Sequence, residues 1–217
     1  MSHERISISN GSVVLEGALH LPDGQPPFAG VVLCHPHPQY GGDMNNNVVA
    51  AMDQGLFAQG IATLRFNFRG VGGSTGVHDG RDGEQSDVAA ALRTLRERDE
   101  IDDDRVGLAG YSFGASMALA AAPHDPDLRA VAAIAPPAPG LDAPALLADA
   151  RPKLILAGDM DSFIPIQKLH ELTRRMEPPP EVHVLHGGDH FLAGHEPEIA
   201  ERVGAFFAGV LLNRATN

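Results

Sequence analysis

Short apolar runs alternate with helical stretches along most of this 217-residue chain. An apolar run at 30–34 precedes a predicted helix over 46–59, which Gly60 ends. The same pairing recurs at 61–68 with 83–98, 106–112 with 113–122, 130–135 with 143–149, and 153–157 with 166–176, and a last strand over 181–185 precedes a helix over 197–212. Strands that are apolar throughout and alternate with helices are typical of a parallel sheet with helices on both faces. The pattern therefore predicts an α/β fold of that kind.

The amino-terminal segment follows a different pattern. Ile6 and Ile8 alternate with serines, and the dipeptide Asn10-Gly11 precedes a second run of alternating residues. A turn signal between two alternating runs predicts an antiparallel hairpin. The proline clusters fall between predicted elements, and 217 residues fit one domain of ordinary size. We therefore expect residues 1–217 to form a single domain.

The charge balance restricts the partners of the chain. It carries 16 Lys and Arg against 28 Asp and Glu, a net charge of -12, which disfavours binding to nucleic acid or to anionic lipid. No apolar run resembles a signal peptide or is long enough to span a bilayer, and the single cysteine, Cys34, has no intramolecular disulfide partner. We expect a cytoplasmic protein without nucleic-acid or membrane partners, either a monomer or a homodimer.

A G-x-S-x-G motif over 110–114 lies between an apolar strand and an alanine-rich helix. In a nucleophile elbow of this form, the serine occupies a strained strand-to-helix turn, and glycines flank it because a side chain there collides with neighbouring backbone. The motif therefore predicts that Ser112 is a nucleophile. The alternative is a glycine-rich turn that only packs the helix on the sheet, and the flanking strand and helix disfavour it.

A serine nucleophile needs a base, and in this arrangement an acid and then a histidine follow the serine along the chain. Asp161 follows the strand over 153–157 and His190 follows the last strand, so both lie at the carboxyl edge of the predicted sheet. Asp159 is the alternative acid, although its position nearer the strand end is typical of a turn aspartate. The glycine-flanked loop of His190 makes it a better candidate for the base than the other histidines nearby, His183, His186 and His195.

Acyl transfer also requires backbone N–H donors for the oxyanion, and the loss of one typically costs roughly 10²–10³ in rate. The residue after the nucleophile, Phe113, supplies one amide at the start of a helix. The second is expected from the loop after the first parallel strand, where Pro36 and Pro38 have no N–H. The His37 amide is the predicted donor, with the Tyr40 amide as the alternative.

The spacing of His35 and His37 also matches a pair of metal ligands, to be completed by one of the histidines His183, His186 and His190. A hydrolytic metal site usually adds ligands at recognisable spacing, whereas this loop is rich in proline. We therefore expect no metal ion and no cofactor. Cys34 ends an apolar strand and is predicted to be a small buried residue rather than a second nucleophile.

Four segments carry a resemblance to a known family: HPHPQYGGDMNNN at 35–47, RFNFRGVGGSTG at 65–76, GYSFG at 110–114 and GDHF at 188–191. Together they resemble the small bacterial esterases of the α/β-hydrolase superfamily that are related to dienelactone hydrolases, over nearly the whole chain. The resemblance implies an α/β-hydrolase fold, an oxyanion hole on the early loop, carboxylesterase activity on small esters, and a triad on Ser112, Asp161 and His190. It also favours Asp161 over Asp159. The nucleophile of dienelactone hydrolase is a cysteine, whereas the matching residue here is Ser112.

These features predict a serine carboxylesterase that acts on small, short-chain esters through an acyl-enzyme. A thioesterase, amidase or peptidase with the same triad is the alternative, and a non-catalytic ligand-binding receptor is disfavoured because every triad position is filled. The interval over 136–151 is too short for a cap domain. Without a cap, long chains gain little burial, which predicts a preference for acyl groups of about two to six carbons. The glycine-rich loop over 69–76 follows a strand and is expected to border the site. We expect it to make tight turns, with Arg69 as an anchor for nearby carbonyls or carboxylates, and substrate binding is the alternative.

Overall fold

The computed structural model describes residues 2–213. Its strands are β1 (Ser2–Asn10), β2 (Val13–Leu21), β3 (Phe28–Cys34), β4 (Ala62–Phe66), β5 (Ile101–Tyr111), β6 (Ala130–Ile134), β7 (Lys153–Gly158) and β8 (Glu181–Leu185). Its α-helices are α1 (Asn47–Ala58), α2 (Asp82–Arg96), α3 (Phe113–Ala121), α4 (Pro144–Leu147), α5 (Ile166–Thr173) and α6 (Glu196–Phe207). The eight strands form one sheet in the order β1-β2-β4-β3-β5-β6-β7-β8.

The first two strands form the predicted antiparallel hairpin. Asn10 pairs with Val13, so Gly11 and Ser12 make the turn, and the φ of 61° at Gly11 is one that favours glycine. The second strand of the hairpin pairs antiparallel with β4 and so joins the hairpin to the rest of the sheet.

The remaining strands, from β4 across β3, β5, β6 and β7 to β8, are parallel. Helices α1 and α6 pack on one face of the sheet, and α2, α3 and α5 pack on the other. The predicted α/β-hydrolase architecture, with a mostly parallel sheet between two helical layers, is thus confirmed.

Helices α1 and α6 pack closely because a glycine lies where they cross. A Cβ at Gly55 would lie only 2.0 Å from the carbonyl oxygen of Ala200, so a side chain there would push the helices apart. Around this crossing Met52, Ile199 and Phe207 are fully buried against the sheet. Burial of large apolar side chains on this scale is the main stabilising contribution to such a layer.

Several elements have other bounds than the sequence pattern predicts, among them β5, which begins at Ile101 instead of 106, and α5, which ends at Thr173 instead of 176. Strand β4, expected over 61–68, ends at Phe66, because the Phe68 amide donates to Nε2 of His35 (3.0 Å) instead of continuing the ladder. The helix expected over 143–149 is the single turn Pro144–Leu147. The last helix is α-helical to Phe207 and continues as a π-helical turn over Ala208–Leu212.

The carboxyl edge of the sheet is not covered by an inserted domain. Between β6 and β7, residues 135–152 contain only one α-helix, the four-residue α4. This agrees with the prediction that the interval is too short for a cap domain. Within residues 2–213, no helix is long and apolar enough to cross a bilayer. Because no inserted domain covers this edge of the sheet, the loops that follow β3, β5, β7 and β8 meet at an open edge, where sites of α/β proteins usually form.

Candidate active site

Ser112 occupies the sharp turn between β5 and α3. Its φ of 53° and ψ of -115° lie outside the regions that non-glycine residues favour, which is the strain expected of a nucleophile elbow. A Cβ at Gly110 would lie 2.2 Å from the carbonyl oxygen of Gly114, and a Cβ at Gly114 would lie 2.3 Å from that of Cys34. The fold therefore requires glycine on both sides of the serine.

The Ser112 hydroxyl contacts a histidine that an aspartate holds in turn. The Oγ of Ser112 lies 2.9 Å from Nε2 of His190, and Nδ1 of His190 lies 2.8 Å from Oδ2 of Asp161. The other carboxylate oxygen of Asp161 accepts a 2.7 Å hydrogen bond from the Phe163 amide. The structure thus brings together the three side chains that the sequence singles out, in the order needed to move a proton away from the serine.

Packing fixes the imidazole of His190 from several sides. His190 and Asp161 are both buried, whereas Ser112 is partly exposed. The Tyr111 hydroxyl donates a 2.8 Å hydrogen bond to the His190 carbonyl oxygen, and the Phe163 ring lies 4.2 Å from the imidazole, centroid to centroid. The ring is therefore held with Nε2 directed at the serine.

Asp159 serves a different contact from Asp161. Its carboxylate accepts a 2.8 Å hydrogen bond from the Gly187 amide and lies 3.1 Å from Nδ1 of His186. The His186 contact, followed by the Gly187 amide, lowers the pKa of the Asp159 carboxyl. Asp159 thus ties the loop after β7 to the loop after β8. The two remaining candidates for the base lie elsewhere: His183 pairs with Glu181, and His195 is the N-cap of α6.

His35 is a structural link in the loop after β3. It is fully buried, its Nδ1 lies 2.6 Å from the Pro36 carbonyl oxygen, and its Nε2 accepts a hydrogen bond from the Phe68 amide. Burial lowers the pKa of His35 to about 4, so the ring is neutral and Nδ1 carries the proton. Both ring nitrogens of His35 are occupied by backbone groups, and this geometry disfavours a metal pair with His37.

The backbone of His37 starts a tight 3₁₀ turn over Pro38–Tyr40. Its carbonyl oxygen accepts hydrogen bonds from the amides of Tyr40 and Gly42, each 3.1 Å long. The Tyr40 amide is therefore engaged within the turn, whereas the His37 amide has no acceptor among residues 2–213. The Phe113 amide lies in the first turn of α3, where N–H groups have no partner inside the helix. Of the two amides considered for the early loop, that of His37 is the one left to bind a ligand.

A cleft of about 630 Å³ opens above the Ser112 hydroxyl. None of its lining side chains is a lysine, arginine, aspartate or glutamate, and most are apolar or aromatic. The lining residues are Pro36, His37, Tyr40, Gly41, Gly42, Asn46, Tyr111, Ser112, Phe113, Ser116, Pro137, Phe163, His190 and Phe191. The cleft therefore suits a small uncharged molecule.

Known proteins share this fold and part of this sequence. A structure from Coxiella burnetii, described as an alpha-beta serine hydrolase homologue, is 34% identical to this chain. The aligned region covers 94% of this chain and 97% of the Coxiella chain, with a TM-score of 0.84. The chain belongs to the α/β serine hydrolases. Residues 11–146 of this hydrolase also match the family model described as X-Pro dipeptidyl-peptidase (S15 family).

Two further structures place this serine hydrolase among its relatives. XC6422 from Xanthomonas campestris, described as a serine hydrolase without lid, is 28% identical, covers 99% of this chain and 97% of its own, and has a TM-score of 0.87. A dienelactone hydrolase from Anabaena variabilis is 20% identical and covers 97% of this chain and 98% of its own, with a TM-score of 0.79, so it shares the fold. The relation to esterases and dienelactone hydrolases that the motifs predict is confirmed at the level of the superfamily.

The serine hydrolase also contains a pair of a partly buried histidine and a buried glutamate that sequence patterns did not single out. Glu84 is fully buried and accepts hydrogen bonds from Nδ1 of His78 (2.8 Å) and from the Gly80 amide (3.0 Å). The His78 ring lies 5.1 Å from the His37 ring and 5.6 Å from the Phe113 ring. The only sequence signal was an acidic residue in the first turn of a helix after a glycine-rich loop, which is common for helix capping alone.

Arg69 and Cys34 both have structural roles in this hydrolase. Arg69 donates to buried Asp87 through Nε (3.0 Å) and one terminal nitrogen (2.8 Å), the kind of anchoring contact that the glycine-rich loop predicts. Cys34 is fully buried, and burial raises the pKa of its thiol, so Cys34 is a packing residue in this fold.

Proposed function

We propose that this protein is a serine carboxylesterase that hydrolyses small, uncharged carboxylic esters through an acyl-enzyme. The observation that carries the proposal is the continuous chain of contacts from the Ser112 hydroxyl through His190 to Asp161, on a strained elbow at the floor of an open cleft. A buried imidazole that contacts a serine hydroxyl and is oriented by a carboxylate is the arrangement that activates serine as a nucleophile.

The first half of the reaction forms the acyl-enzyme. Nε2 of His190 accepts the proton of the Ser112 hydroxyl as Oγ attacks the ester carbonyl carbon. The negative charge that develops on the carbonyl oxygen is stabilised by the amides of His37 and Phe113. His190 then gives its proton to the departing alcohol oxygen, the carbon–oxygen bond breaks, and the acyl group remains on Ser112.

The second half releases the acid. Water in the vacated position gives a proton to Nε2 of His190 and attacks the acyl carbon. The same two amides hold the second tetrahedral intermediate, which collapses when His190 returns the proton to the Ser112 oxygen. In both halves Asp161 keeps the proton of the neutral imidazole on Nδ1 and stabilises the imidazolium that forms.

The composition of the cleft favours esters over the substrates of a dipeptidyl-peptidase. An enzyme that removes a dipeptide from the amino end of a peptide has to bind a positively charged α-amino group, for which a carboxylate is the natural partner. No aspartate or glutamate lines this cleft, and the carboxylate that contacts the triad histidine, Asp161, is buried behind His190. Thioesters remain the closest alternative, because a thioester presents the same carbonyl group to the same triad.

Matched substrates and an active-site probe test the proposal. We expect p-nitrophenyl acetate to be hydrolysed far faster than p-nitroacetanilide, which differs from it only in the scissile bond. A fluorophosphonate probe should label the wild-type protein and not Ser112→Ala, and that variant should lose roughly 10⁴-fold or more in ester turnover. Labelling without turnover of any ester or thioester would contradict the proposed activity, and wild-type turnover in a folded Ser112→Ala protein would contradict the mechanism.

A further inference from the structure

Aromatic side chains are concentrated in the cleft. The whole chain has two tyrosines and nine phenylalanines, and both tyrosines and three of the phenylalanines line this one cavity. They come from four separate parts of the chain: Tyr40 from the loop after β3, Tyr111 and Phe113 from the elbow, Phe163 from the loop after β7, and Phe191 from the loop after β8. The fold therefore gathers rings at the site rather than in one local sequence motif.

Three of these rings are exposed to solvent. Tyr40, Phe163 and Phe191 are 88%, 59% and 67% exposed, and they are the only exposed tyrosines or phenylalanines among the residues whose burial the structure describes. Phe66, Phe68 and Phe207, by contrast, are fully buried in the core. Exposed aromatic surface that is confined to a cleft indicates a ligand that covers it.

Two of the exposed rings lie beside the base. The Phe163 ring lies 4.2 Å from the His190 imidazole at an angle of 33°, and the Phe191 ring lies 6.1 Å from it at 78°. His190 protonates the departing alcohol, so the alcohol part of an ester has to lie next to His190. The carbonyl oxygen of the ester is directed instead toward the amides of His37 and Phe113. Phe163 and Phe191 therefore flank the position of the alcohol part.

We infer that Phe163 and Phe191 form a binding site for an aromatic ring in the alcohol part of the ester, so that esters of arylmethyl alcohols are the preferred substrate class. The inference rests on the proposed esterase function. No charged side chain lines the cleft, so the ring carries no ionised group. Aromatic pairs gain free energy beyond burial of their area, and this contribution is available to a flat ring and not to a saturated one.

The comparison of benzyl acetate with cyclohexylmethyl acetate tests the inference in the wild-type protein. The two alcohols have the same carbon skeleton and similar acidity, but the saturated ring is the more apolar, so burial alone favours it. We expect kcat/KM to be roughly 2- to 10-fold higher for benzyl acetate, the ratio that an aromatic pair supplies. Methyl phenylacetate and methyl cyclohexylacetate carry the same two rings on the acyl side, and their ratio should not exceed one.

Two variants locate the effect. Phe191→Leu keeps an apolar side chain but removes the ring, and it should lower the benzyl to cyclohexylmethyl ratio to one or below. Phe206→Leu is the matched control, because Phe206 lies on α6, away from the cleft, and packs against Phe207. The control should keep the wild-type ratio. A wild-type alcohol ratio of one or less, an unchanged ratio in Phe191→Leu, or a ring preference on the acyl side would each overturn the inference.

Binding of the product alcohol separates this inference from the proposed function. Ligand-observed NMR with the Ser112→Ala protein measures the affinity for benzyl alcohol and for cyclohexylmethanol without any turnover. We expect tighter binding of benzyl alcohol, reduced when Phe191→Leu is added. If no ester is hydrolysed but this pattern is found, the proposed function fails and the ring site stands. If the esters are hydrolysed but cyclohexylmethanol binds as tightly or more tightly, the ring site fails and the esterase stands.

Discussion

The imidazole of His78 lies edge-on to that of His37, with 5.1 Å between the two ring centroids. His78 is itself held by Glu84, whose carboxylate is fully buried and lies 2.8 Å from Nδ1 of His78. The Phe113 ring completes the cluster, 5.0 Å from the His37 ring. The two residues whose amides we assign to the oxyanion hole are thus packed against a third ring that a buried carboxylate anchors.

Removal of the His78 ring should reduce catalysis more than substrate binding. We expect His78→Ala to lower kcat by up to about 10-fold with little change in KM, because loosening an oxyanion donor costs part of the 10²–10³ that its loss would cost. The affinity for a trifluoromethyl ketone, which mimics the tetrahedral intermediate, should fall in parallel. His78→Phe retains a ring and should restore most of kcat.

A histidine away from the cleft serves as the control for this experiment. His20 is buried, lies 3.2 Å from the carboxylate of Asp53, and stacks on Phe57 at 4.0 Å. Neither His20 nor Asp53 lines the cleft. His20→Ala should therefore lower the free energy of unfolding and leave kcat and KM of the folded enzyme unchanged. Equal kinetic effects of the two substitutions would show that His78 acts only through overall stability.

The two aspartates after β7 should respond differently to the same substitution. Asp161→Asn removes the carboxylate that holds Nδ1–H of His190, and we expect kcat to fall by roughly 10³- to 10⁴-fold because the wrong tautomer is favoured. Asp159→Asn changes a contact with His186 and the Gly187 amide, so its kcat should stay within a few-fold of wild type. Measurement of kcat for both variants with one ester decides the assignment, and a larger loss in Asp159→Asn would reverse it.

The sequence predicted the fold and the meeting of three side chains because both follow from regular patterns. Apolar strands that alternate with helices require a parallel sheet, and residues just after the ends of parallel strands meet at one edge. Ser112, Asp161 and His190 follow β5, β7 and β8 in this way. Their catalytic roles stay predictions until the variants above are measured.

Contacts between loops were not predictable from the same patterns. Nothing local distinguishes a glutamate that caps a helix from Glu84, whose burial depends on where the preceding loop folds. Exposed Phe163 and Phe191 have the same residue type as core residues, so hydropathy alone places them inside. The early end of β4 depends on the His35 side chain, which takes the amide of Phe68 from the ladder.

His35 should make the stability of the protein depend on pH. Its pKa is lowered from 6.5 to about 4, chiefly by burial, so the unfolded chain binds a proton there between pH 6.5 and 4 and the folded protein does not. The free energy of unfolding should therefore fall as the pH falls through this window, by an amount on the order of 3 kcal/mol at pH 4 relative to pH 7. The stabilising contribution is fully present above pH 6.5.

Urea unfolding at several pH values between 4 and 7.5 measures this dependence. His35→Asn offers a donor and an acceptor but no titrating group, so the variant should be less stable at pH 7 and should show a shallower fall toward pH 4. The same slope in both proteins would assign the pH dependence to other groups. An NMR titration of His35 in the wild-type protein gives the folded pKa directly.

The open cleft should limit the length of the acyl group. Only the short helix α4 lies in the interval where a cap domain would be inserted, so no inserted domain covers the cleft of about 630 Å³ above Ser112. Each added methylene of a long acyl chain therefore gains little of the ~0.8 kcal/mol that full burial provides, while its ordering cost continues to grow. We expect kcat/KM for p-nitrophenyl esters from acetate to palmitate to be greatest at about two to six carbons and then to decline.

A smaller cavity of about 140 Å³, lined by Leu119, Leu141 and Leu146, shares Ser116 and Pro137 with the cleft. A maximum at ten carbons or longer would contradict the prediction and would show that this cavity opens to receive the end of the chain.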